Sequence, residues 1–186
     1  MSLISEILDH NRSFVAQREY ESLLTDRFPS KKLVILTCMD TRLVELLPKA
    51  MNLRNGEVKV IKNAGAMVSH PFGSVMRSIL VAVYELAAAE IAVVGHHDCG
   101  MTRLNCDQLL ENARQRGVAE DVLSTLSRAG IDLQHWLAGF DDVGTSVKES
   151  VNAIAGHPLL PRDIPVHGLL IDPETGAIDM VCDGYR

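Results

Sequence analysis

The sequence is poor in aromatic residues and has no long apolar run. Only 4% of its 186 residues are Phe, Trp or Tyr, so its core must be built from aliphatic side chains. The longest apolar run, ILVAVY at 79–84, is far shorter than the roughly 20 residues needed to cross a bilayer. The first segment, MSLISEILDHNRS, lacks the basic start and apolar stretch of a signal peptide. We therefore expect a cytoplasmic protein with no membrane partner.

The sequence also lacks an excess of positive charge. The net charge is −6, and acidic and basic residues are interspersed. A nucleic-acid binder normally carries a basic face, so we expect no nucleic-acid partner. A length of 186 residues suits one domain with a sizeable core. We expect residues 1–186 to form a single domain, with 1–28 as an N-terminal helical arm.

Cysteine is sparse, and a disulfide framework is not expected in a reducing cytosol. Thiols in that compartment are more often core residues, nucleophiles or metal ligands. The sequence has four of them: Cys38, Cys99, Cys106 and Cys182.

Short aliphatic runs alternate with helical patterns along the chain. Strands are predicted at 32–37, 57–63 and 91–95, and helices over 2–25, 44–49 (closed by Pro48), 74–90 (capped by Ser74), 107–128 (with a break at Gly117) and 145–156. Two further strands flank PETG at 173–176 and predict a terminal hairpin. This order predicts an α/β fold with a mostly parallel central sheet, flanking helices and a C-terminal hairpin-like strand pair.

Metal-binding residue types follow two of the predicted strands. Cys38 comes directly after LVILT, and His96 and Cys99 come directly after IAVVG. The carboxyl ends of parallel strands meet at one edge of the sheet, where ligands bind. Two thiolates, one imidazole and an open fourth position match a catalytic zinc site. Positions 96 and 99 lie three apart and point to one side, whereas His97 points elsewhere.

Asp40 and Arg42 alternate with Cys38 along the segment that follows the first strand. An extended chain would turn Cys38, Asp40 and Arg42 toward one pocket, with Met39 and Thr41 facing away. Asp40 could be a fourth metal ligand or accept a hydrogen bond from metal-bound water, and Arg42 could decide between these by holding the carboxylate. The alternative is a surface salt bridge with no role in chemistry.

CMDTR at 38–42 and GHHDCGM at 95–101 resemble the C-x-D-x-R and H-x-x-C signatures of the β-class carbonic anhydrases. The resemblance continues through VIKNAGAMV and covers roughly residues 30–181. The short chain is most similar to the compact branch of the family found in archaea and bacteria.

The resemblance implies a zinc ion on Cys38, His96 and Cys99, with Asp40 and Arg42 as the catalytic pair. It implies reversible hydration of carbon dioxide to bicarbonate and a proton, by attack of zinc hydroxide on CO2. Two thiolates cancel the charge of the ion, so activity is expected to rise with pH above neutrality. The resemblance also implies a homo-oligomer, either a dimer or a tetramer.

Four other residues in or near these motifs are candidates for supporting roles. His97, where relatives often have Ser or Thr, could be a proton shuttle, a backbone-bonded residue or a subunit contact. Gly65 is expected to allow close backbone approach in the pocket loop, and Ala66 to alter the pocket wall. Asp98 is expected to brace its loop or the neighbouring subunit.

Three other functions stay open on the sequence. The same zinc site could hydrolyse a CO2 analogue, carbon disulfide or carbonyl sulfide. Asp40 could close the metal permanently and leave a non-catalytic zinc or bicarbonate-sensing module. Four cysteines could also ligate an iron–sulfur cluster, although their spacing is poor for one.

Overall fold

Five strands form a single sheet in the computed structural model, which describes residues 2–185. The strands are β1 (Leu33–Cys38), β2 (Val58–Asn63), β3 (Glu90–His96), β4 (Val166–Ile171) and β5 (Ile178–Cys182). Their order is β2-β1-β3-β4-β5. The β1–β2, β1–β3 and β3–β4 pairs are parallel, and β4–β5 is antiparallel. The predicted fold class, including the terminal strand pair, is confirmed.

The connections between strands are mostly helical. The helices are α1 (Leu3–Ala16), α2 (Leu43–Ala50), α3 (Ser74–Leu86), α4 (Cys106–Gln115), α5 (Glu120–Arg128), α6 (Leu133–Trp136) and α7 (Val143–Ala155). The predicted break at Gly117 is confirmed, because this residue adopts a left-handed φ of 98° between α4 and α5. Within residues 2–185 there is no helix both long and apolar enough to span a membrane.

The aliphatic runs of β1 and β3 are buried on both faces of the sheet, as expected for central parallel strands. Successive side chains of a strand point to opposite faces, so Val34 and Leu36 enter one core and Ile35 the other. The first core also contains side chains of α3 and α7, and the second contains Leu43 and Leu47 of α2. Packing from both sides fixes the two strand ends where Cys38 and His96 lie.

Pro48 lies inside α2, whereas the sequence predicted that it closes the helix. Proline has a helical φ, but it lacks the N–H that would donate to the carbonyl four residues earlier, and its ring crowds that carbonyl. That residue is Val44, whose side chain is exposed, so water can reach this part of the helix. The helix therefore continues to Ala50.

Helix α3 differs from its prediction at both ends. Gly73 is the N-cap, and Ser74 is the first helical residue instead. The helix ends at Leu86 because Ala87 turns left-handed, with φ 57°, and the N–H of Ala88 donates to the carbonyl of Ala82. Alanine gives no stop signal in the sequence, so the prediction extended the helix to residue 90.

Helix α1 has no buried residue. Its apolar side chains Leu3, Ile4, Ile7 and Leu8 are all more than half exposed. Leu3, Ile4, Ile7 and Leu8 share one face of the helix, which we call the α1 apolar face. This face has no partner within the part of the chain that the structure describes.

Candidate metal centre

Cys38, His96 and Cys99 meet at one edge of the sheet. Cys38 ends β1 and His96 ends the adjacent strand β3, and Cys99 follows in the turn after β3. One ligand atom from each residue lies within 4.8 Å of the others, and the two Sγ atoms are 3.9 Å apart. All three side chains are buried. This cluster could hold a metal ion.

The imidazole of His96 has one nitrogen satisfied and one free. Nδ1 lies 2.8 Å from the carbonyl oxygen of His97. A carbonyl oxygen only accepts, so Nδ1 carries the proton and Nε2 presents its lone pair toward the thiols. Nε2 is buried and has no hydrogen-bond partner among residues 2–185; Asp40 Oδ2, at 3.7 Å, is too far. An unpartnered buried nitrogen beside two thiols fits a metal ligand.

The two thiols have different electrostatic surroundings. Burial alone would raise the pKa of Cys38, but the neighbouring His96 imidazole and the N–H groups of Gly65 and Asp40 lower it to about 7. The N–H of Gly65 lies 3.4 Å from Sγ of Cys38. Burial, together with the nearby Cys38, raises the pKa of Cys99 to about 11. Cys38 therefore loses its proton at a lower pH than Cys99 does. A thiol must lose its proton to bind a metal ion.

Asp40 and Arg42 form a bidentate ion pair next to this cluster. Arg42 Nε donates to Oδ1 of Asp40 at 3.0 Å, and Nη2 donates to Oδ2 at 2.8 Å. The backbone N–H of Arg42 adds a third bond at 2.9 Å. Hydrogen bonding to the guanidinium lowers the pKa of Asp40 to about 2, so the carboxyl group is ionised at neutral pH. Oδ2 of Asp40 lies 3.7 Å from Nε2 of His96, so the ion pair borders the cluster of Cys38, His96 and Cys99.

A cavity of about 520 Å3 opens over Cys38 and Cys99. It is also lined by Met39, Asp40, Thr41, Arg42, Ala64, Gly65, Gly100, Met101 and Leu104. The expectation that Met39 and Thr41 face away is wrong. The strand ends at Cys38 and the chain enters a turn at 41–42, so strict alternation no longer applies.

Met101 was expected to fill the pocket or the core, but three other cavity residues were not singled out in the sequence: Ala64, Gly100 and Leu104. Their one signal was position, since each lies within a few residues of a motif. Ala64, Met101 and Leu104 give the cavity an apolar wall.

Gly65 and Ala66 both have left-handed backbones, with φ of 82° and 57°. A Cβ on Gly65 would lie 2.9 Å from Cε1 of Phe140 and 3.0 Å from Cγ of Met101, so only glycine fits without displacement. Ala66 is buried and is not among the residues that line the cavity.

His97 is exposed and likewise does not line the cavity. Its main chain has the visible role, because its carbonyl orients His96 and its N–H donates to the carbonyl of Ile171 at 3.1 Å. A proton-shuttle role for the His97 side chain stays a prediction.

Known proteins are similar to this chain over most or all of its length. The profile of the carbonic anhydrase family matches residues 33–178. The chain is 60% identical over 186 residues to YvdA of Bacillus subtilis, which is provisionally named a carbonic anhydrase; the match covers 100% of this chain and 94% of YvdA. The crystal structure of β-carbonic anhydrase isoform I from Trichomonas vaginalis superimposes with a TM-score of 0.91 at 34% identity, covering 100% of both chains. A carbon disulfide hydrolase of Acidithiobacillus thiooxidans is 28% identical over 162 residues, which are 81% of this chain and 72% of that enzyme.

Proposed function

The chain belongs to the β-class carbonic anhydrase family, and from this premise we propose that it catalyses the reversible hydration of carbon dioxide to bicarbonate and a proton. The observation that carries the proposal is the unpartnered Nε2 of His96, buried beside two thiols below an open cavity. Cys38, His96 and Cys99 hold a zinc ion in this proposal. Three protein ligands of this kind leave a fourth position for chemistry, as catalytic zinc requires.

Zinc, when bound, supplies a Lewis acid that lowers the pKa of water so that hydroxide is available near neutral pH. Asp40 accepts a hydrogen bond from the attacking water and orients it toward the carbon of CO2. Arg42 holds this carboxylate in place through both oxygens and stabilises its ionised form. The apolar wall of Ala64, Met101 and Leu104 suits a small molecule without a net dipole. Two thiolates make the water less acidic than three neutral histidines would, so activity rises with pH above neutrality.

The Asp40–Arg42 pair also supports an enzyme over a non-catalytic sensing module. Asp40 can close the metal only if its carboxylate leaves the bidentate grip of Arg42. These two hydrogen bonds from Arg42 favour a metal ion whose fourth coordination position is open. Hydrolysis of carbon disulfide or carbonyl sulfide would use the same three ligands and the same apolar wall, so a direct comparison of substrates must decide between them.

We further propose a homo-oligomer, a dimer or a tetramer, in which the arm formed by residues 1–28 of the single domain contacts a second copy. The α1 apolar face supports this, since four aliphatic side chains on one exposed face are costly to leave in water. A cytoplasmic location agrees with the proposed thiolate ligands, which persist in a reducing compartment.

Metal analysis combined with kinetics tests the proposed function. We expect about one zinc ion per chain, CO2 hydration faster than hydrolysis of carbon disulfide or carbonyl sulfide, and a rate that increases from pH 7 to 9. Asp40→Asn should keep the metal and lose most of the activity. Cys38→Ser should lose the metal, whereas Cys106→Ser, which changes a thiol outside the cluster, should retain it. A zinc-free wild-type protein without hydratase activity would overturn the proposal.

A further inference from the structure

The turn between His96 and Cys99 contributes a carboxylate that contacts Arg42. We propose that Asp98, on this turn, is a positioning residue that holds the Arg42 guanidinium in the orientation in which it grips Asp40. The consequence for catalysis rests on the function proposed above, but the positioning itself is a property of the protein and can be measured without any reaction.

The hydrogen bonds of Arg42 divide between two aspartates. Nε and Nη2 donate to the carboxylate of Asp40. On the other side, Nη1 lies 3.4 Å from Oδ2 of Asp98, and Nη2 donates to the carbonyl oxygen of Asp98 at 3.1 Å. These four contacts use three nitrogens of a planar, rigid group, so a rotation away from Asp98 would also disturb the geometry at Asp40.

The backbone of Asp98 is adapted to this contact. Its φ is 51°, in the left-handed region that residues other than glycine rarely adopt and that Asp and Asn tolerate best. In this conformation both the carboxylate and the carbonyl of Asp98 reach Arg42. Backbone outliers of this kind concentrate at functional sites, where surrounding contacts hold them in place.

The contact also joins the two turns that follow the strands bearing Cys38 and His96. Arg42 follows β1 and Asp98 follows β3, and they are separated by 56 residues of sequence. Arg42 is 39% exposed, so without a second anchor its long side chain would sample several rotamers. Asp98 supplies that anchor from the neighbouring strand end.

Arg103 offers a matched comparison because it binds the same aspartate from outside the site. Its Nη2 donates to Oδ1 of Asp98 at 2.9 Å and leaves Oδ2 to Arg42. The Arg103 side chain is 81% exposed and does not line the cavity. Loss of Arg103 should therefore loosen Asp98 without removing the anchor of Arg42.

Hydrogen exchange of the Arg42 Nε–H, followed by NMR, tests the proposal in both the zinc-loaded and the metal-free protein. The signal is assigned by its loss in Arg42→Lys. Asp98→Asn removes the charge but keeps the left-handed backbone and the carbonyl contact. In Asp98→Asn we expect the exchange rate of the Arg42 Nε–H to rise about threefold, which is the size expected for loss of one partly exposed ion pair. In Arg103→Gln we expect the exchange rate of the Arg42 Nε–H to equal that of the wild type. Should Asp98→Asn fail to fold, Asp98→Gly removes the side chain in a residue type suited to this φ.

The proposal would be overturned if the Arg42 Nε–H of a folded Asp98→Asn or Asp98→Gly variant exchanged at the wild-type rate. An equal rise in Arg103→Gln would also overturn it, because the effect would then reflect general loosening of the turn. If CO2 hydration is the activity, kcat should fall about threefold in Asp98→Asn with KM unchanged. If the protein has no hydratase activity, the proposed function fails while the exchange experiment still decides the role of Asp98.

Discussion

The Nδ1 of His96 lies 2.8 Å from the carbonyl oxygen of His97, and this contact distinguishes two adjacent histidines. The Nδ1–H of His96 donates to this carbonyl, which fixes the tautomer and leaves Nε2, with its lone pair, facing Cys38 and Cys99. His97 contributes its main-chain carbonyl, which other residues at that position would also provide, and a shuttle role for its side chain stays a prediction. The imidazole of His97 is exposed and outside the cavity.

Replacing each histidine by alanine should therefore have opposite effects on metal content. His96→Ala should lose zinc during dialysis against a weak chelator, because one of three ligands is gone. His97→Ala should retain about one zinc ion per chain, because the carbonyl that orients His96 is still present. Elemental analysis by mass spectrometry measures both. Zinc loss from His97→Ala equal to that from His96→Ala would contradict the assignment.

Arg42 should control the ionisation of Asp40 in the metal-free protein. Arg42→Gln is expected to raise the pKa of Asp40 from about 2 toward its ordinary value of 3.8, followed by 13C NMR of the Asp40 carboxyl carbon. A lowered pKa means that the ion pair stabilises the folded chain above about pH 4, and that this contribution is lost as the pH falls toward 2. Arg103→Gln, which removes a guanidinium that binds Asp98 only, should leave the pKa of Asp40 in place.

Gly65 and Gly130 allow backbone strain to be separated from crowding. Their φ values are 82° and 83°, but a Cβ on Gly130 would have no heavy atom within 4 Å. Both alanine variants bear the strain of a left-handed backbone, and only Gly65→Ala must also displace Phe140 or Met101. We expect Gly65→Ala to lower the free energy of unfolding by about 1–3 kcal/mol more than Gly130→Ala, measured by urea denaturation. Equal losses would show that the cavity wall adapts freely.

The α1 apolar face should determine the size of the assembly. The double variant Ile4→Asp and Ile7→Asp places two charges on that face and is expected to shift the protein to a smaller species, measured by light scattering after size exclusion. Ser5→Asp with Ser13→Asp adds the same charge on the opposite side of α1 and should leave the mass unchanged. A wild-type protein that is already monomeric would contradict the proposed homo-oligomer.

The sequence predicted the parallel sheet because LVILT and IAVVG are continuous aliphatic runs that only a doubly covered strand buries. Cys38, His96 and Cys99 were expected to lie close together because they follow or end neighbouring parallel strands, whose carboxyl ends meet at one edge of the sheet. Their roles as ligands stay predictions. Contacts made across the fold had no signal in the sequence. The approach of Asp98 to Arg42 depends on how two turns are oriented.

Other features were hidden for the same reason. His167 is buried with its Nε2 3.0 Å from a carboxylate oxygen of Glu90, and its Nδ1 accepts from the N–H of Gly184. These residues are far apart in sequence and meet only when β3, β4 and the end of the chain are assembled. Periodicity also failed where the chain bends sharply. After Cys38 it gave the wrong direction for the side chains of Met39 and Thr41, and at Ala87 it gave too long a helix α3.

Cys38 and Cys99 are separated by 61 residues, a stretch that contains all of β2, α3 and β3. An ion held by both thiols would require the two central strands to be paired at their ends, so the unfolded chain would have no comparable site. Metal binding and assembly of the middle of the sheet then become one equilibrium. Free zinc would shift that equilibrium toward the folded chain, by an amount that grows with the logarithm of its concentration. The metal content of a preparation would thus report the fraction of the protein in which the central strands of the sheet are folded.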